Sequence, residues 1–163
     1  MNVHIGPLTA EHAGEVMTIQ RAAYLQEARR YGAWDLPPLV ETLDQIRAHL
    51  EDGTPALGAF SGSRLVGSVR SRVDGDRMEV ARLSVAPDVQ GTGAGRKLLQ
   101  AIGEHAPDGV EVVWLFTGAE SDGNIRFYES AGFVRVSEHL DAVGIRCVTL
   151  EQRPKRCPDV VVR

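Results

Sequence analysis

The sequence predicts a single α/β domain built on one mixed β-sheet. Its 163 residues suffice for one hydrophobic core and are too few for two ordinary domains. Short apolar segments alternate between the strand period and the helix period. A run of consecutive strands leads into a strand–helix–strand unit, so antiparallel and parallel pairing are mixed. We therefore expect a central sheet of about seven strands flanked by about four helices, in the order β-α-α-β-β-β-α-β-α-β-β over residues 1–163.

The N-terminal third is expected to supply one strand and two helices. Thr9 is an N-cap candidate for the first helix because Glu11 follows in the first turn. In the second helix, apolar residues recur at helical spacing until Asp52-Gly53 ends it. The predicted segments are a strand at 2–6, a helix at 9–30, a loop rich in aromatic residues and prolines at 31–38, and a helix at 40–50 that carries Val40, Leu43, Ile46 and Leu50.

The remainder alternates strands with two further helices. Turns at 61–63 and 74–76 separate three consecutive strands. The apolar run at 110–117 is typical of a strand buried on both faces. The tail at 153–163 is expected to fray or to contact a partner chain. The predicted segments are strands at 56–60, 65–73, 78–85 and 110–117, a helix around 98–102, a helix at 122–131, and strands at 133–137 and 142–151.

The chain is organised around residues 78–102, where a strand, a glycine-rich loop and an amphipathic helix follow one another. Pro87 ends the strand because it has no N–H to donate. Glycines then alternate in Gln90-Gly91-Thr92-Gly93-Ala94-Gly95, and they permit positive φ and close approach of a ligand to the main chain. Successive N–H groups, a helix N-terminus and the charges of Arg96 and Lys97 all favour an anion. The sequence therefore predicts a phosphate- or pyrophosphate-binding loop.

Two common phosphate loops do not fit this stretch. The dinucleotide fingerprint requires G-x-G-x-x-G, whereas this loop reads G-x-G-x-G. The Walker loop requires Gly-Lys-Ser/Thr, and the sequence contains no Lys-Ser or Lys-Thr. The loop instead resembles the Gln/Arg-x-x-Gly-x-Gly/Ala signature of the GCN5-related N-acetyltransferases, the GNAT family. The element order resembles that family over nearly the whole chain, which implies the acyl-CoA N-acyltransferase fold.

The resemblance implies acetyl-coenzyme A (acetyl-CoA) as co-substrate. No metal is expected, because the five histidines show no metal-ligand pattern. In the family, the pyrophosphate of coenzyme A binds the loop, and the pantetheine arm pairs with the preceding strand like an extra strand. An amide on the later helix could also meet the pantetheine arm. The implied cofactor-binding residues are Leu83, Ser84, Val85, Gln90, Gly91, Thr92, Gly93, Ala94, Gly95, Arg96 and Asn124.

A second motif occupies residues 124–133 and reads NIRFYESAGF. It resembles a shortened form of the family's Asn-x-x-Ala-x-x-x-Tyr-x-x-x-Gly-Phe pattern. Asn124 and Tyr128 lie four residues apart, so they share a helix face. Tyr128 is the candidate catalytic acid, although an aromatic residue on such a helix is often core. A phenol with a pKa near 10 beside a thiol near 8.5 serves better as a hydrogen-bond donor to the developing thiolate than as a full proton donor.

Glu79 is the candidate catalytic base. An amine must be neutral to attack a thioester, so some group must accept its proton, directly or through water. Glu79 lies on the strand before the loop, at a spacing from Gln90 where some family members carry a catalytic glutamate. Its ordinary pKa of about 4.3 is low for this task, which calls for partial burial or a water relay. The alternative is a structural carboxylate paired with Arg70 or Arg72.

The resemblance assigns the acceptor pocket to the first two helices and their loop. Core packing and a solvated helix face are the alternatives for the residues there. Arg82, in the middle of a strand, is interpreted as a paired structural charge, and Cys147 as a core residue. The candidate substrate-binding residues are Tyr24, Tyr31 and Trp34, with Glu27 and Asp35 as acids that could meet an amine.

Composition excludes several classes of protein. Hydrophobic residues make up 43% and charged residues 25%, as in a globular domain, and the net charge of −4 argues against a nucleic-acid surface. No apolar run approaches a membrane span, and the N-terminus lacks the apolar region of a signal peptide. Cys147 and Cys157 are too few for a disulfide framework, so a cytoplasmic location is expected.

We expect an acetyl-CoA-dependent N-acetyltransferase that acts on a primary amine of a small molecule or peptide by direct attack in a ternary complex. The resemblance adds the expectation of a homodimer, through the last strands. A non-catalytic acyl-CoA-binding module that senses or regulates is the alternative. A nucleotide enzyme that binds ATP with Mg²⁺ at its phosphate loop is a third hypothesis.

Overall fold

The computed structural model describes residues 1–155 and contains one seven-stranded mixed sheet, as the sequence predicts. The strand order is β1-β2-β3-β4-β5-β7-β6; β4 and β5 are parallel, and all other neighbours are antiparallel. Most of the predicted tail, residues 156–163, lies outside the described residues. The strands are β1 (His4–Pro7), β2 (Ala56–Ser61), β3 (Arg64–Asp74), β4 (Arg77–Val85), β5 (Val112–Gly118), β6 (Val134–Leu140) and β7 (Arg146–Gln152).

Five α-helices flank the sheet within the described residues, one more than expected. They are α1 (Ala13–Tyr31), α2 (Pro37–Val40), α3 (Leu43–Glu51), α4 (Ala94–Glu104) and α5 (Asp122–Ser130). The additional helix α2 begins with two prolines, whose fixed φ suits a first helical turn. The expected start of the second helix at Val40 is wrong, because Val40 ends α2 and is 56% exposed. Thr42 instead caps α3 by accepting a hydrogen bond from the Gln45 N–H.

Hydrophobic side chains on the two faces of the sheet form two cores. Side chains alternate along β2 and β3, so consecutive residues belong to different cores. The larger core packs α4 and α5 against one face, and it includes Leu57, Val66, Met78, Leu98, Ile102, Leu115, Ile125 and Leu150. The smaller core packs α1 and α3 against the other face, and it includes Val16, Ile19, Ile46, Ala56 and Leu65. In residues 1–155 no helix is long and apolar enough to cross a bilayer.

The expectation that the 110–117 strand is buried on both faces is wrong. Val113 and Leu115 are buried in the larger core, whereas Phe116 is 41% exposed and Trp114 is half-buried. Helix α1 packs mainly on β3 and β4 and reaches the end of β5 through Tyr31 at Gly118, which leaves Trp114 and Phe116 partly exposed. An apolar run in the sequence therefore did not imply two covered faces.

The predicted strand at 142–151 begins later than expected. The carboxylate of Asp141 accepts hydrogen bonds from the N–H groups of Val143 and Ile145, at 3.0 and 2.8 Å. Gly144 then adopts φ +84°, which closes a turn between β6 and β7. As a result, β7 starts at Arg146 and the turn is free to line the functional cleft.

A buried ion pair joins the sheet to the three N-terminal helices. Arg70 on β3 is fully buried and donates to both carboxylate oxygens of Glu41, at 3.1 and 2.6 Å. It also donates to Gln20 Oε1 on α1 at 2.8 Å and contacts His49 Nδ1 on α3 at 2.9 Å. Gln20 in turn donates to Glu41 and to the Pro38 carbonyl, each at 2.8 Å. This network holds helices α1, α2 and α3 in register over β3.

Burial and neighbouring hydrogen bonds and charges set the protonation states of Glu41 and His49 in this network. Burial by itself raises the pKa of Glu41, but the hydrogen bonds from Arg70 and Gln20 and the nearby guanidinium charges lower that pKa to about 2. Burial lowers the pKa of His49. A neutral His49 therefore donates from Nε2 to the Ser71 carbonyl at 2.7 Å and accepts from Arg70 at Nδ1.

We expect Glu41→Gln to lower the free energy of unfolding by about 3 kcal/mol at pH 7, because a buried guanidinium would lose its carboxylate. Since the folded-state pKa of Glu41 lies below its ordinary value of 4.5, its contribution is complete above about pH 5 and is lost as the pH falls toward 2. In urea unfolding experiments, the difference in free energy of unfolding between wild type and variant should therefore become smaller from pH 7 to pH 3. Glu129→Gln, which breaks the exposed pair with Arg135, is the control and should change stability by less than about 1 kcal/mol. A difference that stays constant with pH would contradict an ionic origin.

Candidate active site

A cleft of about 700 Å³ opens at the carboxyl ends of β4 and β5. The two strands pair in parallel only from Arg77–Val112 to Glu79–Trp114. Beyond these pairs they separate, and the space between them is bounded by α1, α2, α5, the glycine loop and the β6–β7 turn. Ligands of parallel sheets commonly bind in such a crevice beyond the strand ends.

A β-bulge in β4 shapes one wall of the cleft. Ser68 pairs with Ser84 and Arg70 pairs with Ala81, so Arg82 and Leu83 together oppose a single residue of β3. Arg82 has φ +57°, the only positive φ of a non-glycine residue in the described chain. The bulge turns the Arg82 side chain toward helix α2, where its Nε donates to Glu41 at 3.3 Å. The sequence-based interpretation of Arg82 as a paired charge agrees with this contact.

The glycine loop presents a row of unused backbone donors. Gly91 and Gly93 adopt φ +80° and +89°, whereas Gly95 is already helical, so only two of the three glycines use the left-handed region. No residue among 1–155 accepts a hydrogen bond from the N–H groups of residues 91–96, and α4 has no side-chain N-cap. A Cβ at Gly91 or Gly93 would meet nothing within 4 Å. The loop therefore has both the donors and the open space that a pyrophosphate requires.

Side chains around the loop brace it. The Gln90 amide lies 3.5 Å from the Val85 carbonyl, and the Thr92 hydroxyl donates to the Val89 carbonyl at 2.7 Å. Thr92 does not line the cleft, so its side chain holds the loop. Arg96 donates to Ser130 Oγ at 2.6 Å, and its guanidinium stacks over the Phe127 ring of α5. These two contacts join α4 to α5.

The open edge of β4 forms the floor of the cleft. Ser84 and Val85 pair with β3 on one side and Leu83 lies in the bulge, and none of the three pairs with β5 on the other side within the described residues. The Ser84 hydroxyl donates to the Arg82 carbonyl at 3.2 Å and is otherwise buried. Unpaired main chain on a strand edge can bind an extended ligand as a further strand.

Tyr128 and Asn124 line the cleft from α5, on the face predicted from their spacing. Asn124 is exposed, and its amide lies 3.4 Å from Thr117 Oγ1. The Tyr128 hydroxyl has no hydrogen-bond partner in the described part of the chain. Burial raises the pKa of Tyr128, and the nearby Tyr24 and Glu27 raise it further. The phenol therefore stays protonated at physiological pH and is available as a donor.

Glu79 lines the same cleft at the last β4–β5 pair before the strands separate. Its carboxylate is 16% exposed and lies 3.7 Å from Arg72 across the β3–β4 pair. This distance is too long for a direct hydrogen bond, so Arg72 pairs with Glu79 through charge alone. Glu79 is thus partly buried, as a catalytic base would need to be. It is also paired with Arg72, as a structural carboxylate would be.

The three candidate acceptor-binding residues lie in different environments. Tyr24 lines the cleft from α1. Burial raises its pKa, although the positive charge of Arg82 partly offsets this rise. Tyr31 lines it too, but its hydroxyl is 2.9 Å from Ser121 Oγ and accepts from the Glu120 N–H at 3.1 Å. A Cβ at Gly118 would overlap the Tyr31 ring, so that glycine permits the close contact. Trp34 is 60% exposed and is not among the residues that line the cleft.

The cleft also includes residues that sequence reasoning missed. They are Leu36, which is the N-cap of α2, Pro37 and Pro38 of α2 itself, Phe116 of β5, and Asp141 and Ile145 of the β6–β7 turn. The sequence DAVG was itself a turn signal, but its last three residues and Ile145 were placed within the strand predicted at 142–151. Cys147 is buried, as expected, and also borders the cleft. Among residues 1–155, no cluster of three or more metal-binding side chains occurs.

Comparisons with known proteins agree with this geometry. The model of the Acetyltransferase (GNAT) family matches residues 15–133. The chain is 33% identical over 138 residues to the N-alpha-acetyltransferase RimI of Mycobacterium tuberculosis, covering 82% of this chain and 80% of the relative. It is 27% identical over 150 residues to the UPF0157 protein YqkA of Bacillus subtilis, covering 92% of this chain and 43% of YqkA. The chain thus spans less than half the length of YqkA.

The fold is also found among solved structures. The structure of yncA, a putative acetyltransferase from Salmonella typhimurium with its cofactor acetyl-CoA, has a TM-score of 0.75 and 21% identity. The match covers 98% of this chain and 99% of that one. With the family model spanning most of the domain, the chain belongs to the GNAT family of acetyltransferases.

Proposed function

We propose that this protein transfers an acetyl group from acetyl-CoA to a primary amine of a small molecule or peptide, by direct attack in a ternary complex. One observation carries the proposal. The glycine loop with its free N–H groups, the open edge of β4, the Glu79 carboxylate and the Tyr128 phenol all border a single cleft. These are the groups that binding a coenzyme A thioester and deprotonating an amine require.

The donor would lie along the loop and the open strand edge. In this proposal the N–H groups of residues 91–96 hold the pyrophosphate, and the helix dipole of α4 adds to their positive potential. Leu83, Ser84 and Val85 hold the pantetheine arm through their main chain. When bound, acetyl-CoA supplies the activated acetyl group, and the chain supplies orientation and exclusion of water.

Two side chains handle the protons. Glu79 accepts a proton from the acceptor ammonium, directly or through water, which leaves a neutral nitrogen able to attack. Tyr128 donates a hydrogen bond to the leaving sulfur as negative charge develops there. Burial keeps the phenol protonated, so it stabilises this charge without itself losing a proton.

Direct attack is favoured over a covalent acyl-enzyme by the state of Cys147. Burial raises the pKa of its thiol to about 11, so the thiolate is scarce at physiological pH. The sulfur atom donates to the Ile145 carbonyl at 3.5 Å. A thiol in this state is a poor nucleophile, so the amine would attack the thioester carbonyl directly, and the C–S bond would break to release coenzyme A.

A homodimer and a cytoplasmic location complete the proposal. Strand β6 is at the edge of the sheet, with exposed Val134, Val136 and Leu140, and such edges tend to pair with another chain. The unpaired thiol of Cys147 suits a reducing compartment.

We expect acetyl-CoA and coenzyme A, but not ATP with Mg²⁺ or NAD, to raise the thermal unfolding temperature. A ligand that binds only the folded protein at a hundred times its Kd adds about 2.7 kcal/mol. Gly93→Ala should abolish most of this stabilisation, because φ +89° is strained for alanine and the loop would rearrange. Gly75→Ala is the matched control, since it changes a positive φ of +58° in the β3–β4 turn, away from the cleft. Equal loss of the coenzyme A effect in both variants would contradict the assigned loop.

Tyr128→Phe should lower kcat about 100-fold while the stabilisation by coenzyme A persists. The expected loss is that of one hydrogen bond to charge that develops in the transition state. Steady-state kinetics with an amine panel, together with thermal unfolding, separate the two effects. Because the wild-type phenol does not titrate in the assay range, the pH profile of kcat should keep its shape in the variant. A changed profile would oppose the donor role.

Glu79→Gln should lower kcat about 100-fold near neutral pH, with partial recovery at high pH as more of the free amine is deprotonated. Kinetics across pH 6 to 10 test this. Glu111→Gln, an exposed glutamate outside the cleft, is the control and should behave as wild type. If both Glu79→Gln and Tyr128→Phe left turnover of every acceptor unchanged, the catalytic assignments would be wrong. If wild type bound acetyl-CoA yet acetylated no amine, a sensor or regulatory role would replace transfer.

A further inference from the structure

The bulge in β4 places a partly unpaired guanidinium in the wall of the cleft. Arg82 lines the cleft beside Tyr24, and its side chain is 16% exposed. Its Nε donates to Glu41, but its two terminal nitrogens have no hydrogen-bond partner in the described chain. Those nitrogens could donate to a planar anion such as a carboxylate in the fork geometry typical of arginine.

The carboxylate that Arg82 contacts is already used by another residue. Glu41 Oε2 lies 2.6 Å from Arg70 and accepts from Gln20 at 2.8 Å, while Arg82 lies at 3.3 Å from the same oxygen. The ring of His49 is neutral, because burial lowers its pKa. The cluster therefore contains two guanidinium groups and a single carboxylate, which leaves one positive charge without a close counter-charge.

Other acidic residues of the cleft wall have different partners. Glu79 lies 3.7 Å from Arg72, and Glu27 accepts a hydrogen bond from the Ser121 hydroxyl at 2.6 Å. Asp141 is bonded to the backbone of the β6–β7 turn. None of the described carboxylates besides Glu41 forms an ion pair with Arg82. Since a half-buried charge is costly without a partner, the cleft is complementary to an anion beside Arg82.

Arg82 and Glu79 lie on one side of the sheet. Glu79 pairs with Arg72, and Arg82 reaches the same network as Arg70, which lies two residues before Arg72 on β3. Only two residues separate Glu79 from Arg82 along β4 and both line the same cleft, so both can contact one small molecule. Glu79, the proposed base, could thus meet an ammonium group, and the partly unpaired guanidinium of Arg82 could meet an anion on the same acceptor.

We propose that the acceptor is a carboxylate-bearing amine of the α-amino acid type, whose carboxylate is bound by Arg82. This inference rests on the proposed function, because it names the substrate class of that reaction. The phosphates of the donor have their own site at the N–H groups of residues 91–96. A peptide N-terminus has no carboxylate beside its amine, so peptide acceptors are the competing outcome of the test.

The test compares matched acceptors that differ only in the anion. With acetyl-CoA as donor, the acetylation of each free amino acid is compared with that of its carboxamide. Tripeptides that begin with the same residue and have a free N-terminal amine are assayed as well. Wild type should prefer the best amino acid over its carboxamide by at least about 30-fold in kcat/KM, the scale of a charge-assisted hydrogen bond. Arg82→Gln should bring this ratio to about one, and Arg82→Lys should keep part of it. Arg47→Gln, a surface arginine on α3, should leave the ratio unchanged.

A binding measurement keeps this inference separate from the proposed function. In the presence of coenzyme A, an N-acetyl amino acid should stabilise wild type against thermal unfolding more than the N-acetyl carboxamide does. Arg82→Gln should remove the difference while coenzyme A still stabilises the variant. If amino acids and carboxamides were equal in both assays, or if tripeptides were preferred, the inference would be overturned. Selective binding without any acetyl transfer would uphold the anion site and refute the proposed reaction.

Discussion

The fully buried Arg70–Glu41 pair is the interaction on which the shape of the cleft depends. It joins β3 to the end of α2, and through Gln20 and His49 it also fixes α1 and α3. Hydrophobic packing in the two cores would not by itself determine the position of α1, α2 and α3 on the sheet. A buried guanidinium must be satisfied from several directions at once, so few arrangements of the helices are compatible with it. Arg70 Nε remains without a partner, so even this arrangement leaves one donor unsatisfied.

The same carboxylate reaches the functional cleft through Arg82. Since Glu41 contacts both arginines, the position of α2 and the direction of the β4 bulge are coupled. The bulge lies beyond the last β4–β5 pair, in the stretch of β4 that leaves its main chain exposed along one edge. A structural ion pair and the opening of the cleft are therefore parts of one arrangement, in which a change at Glu41 would alter the wall that Arg82 lines.

The two halves of the cleft follow different physical rules. At the glycine loop, backbone N–H groups and a helix N-terminus create positive potential, and the side chains mostly brace the loop. The opposite wall, where we propose that the acceptor binds, consists of side chains from α1, α2, β5 and the β6–β7 turn. Backbone recognition tolerates many side chains, whereas a wall of side chains sets which molecule fits. This division explains why a shared fold can accept different substrates.

The sequence alone determined the strand order along the chain, the glycine loop with its helix, and the pairing of Asn124 with Tyr128 on one helix face. Each of these depends on local rules: turn residues, periodicity and helix spacing. Only the tertiary structure decided which face of β5 is covered, that Trp34 lies outside the cleft, and that Arg82 shares Glu41 with Arg70. Those features depend on contacts between residues far apart in the chain. No local pattern encodes them, because they arise only when helices and strands pack together.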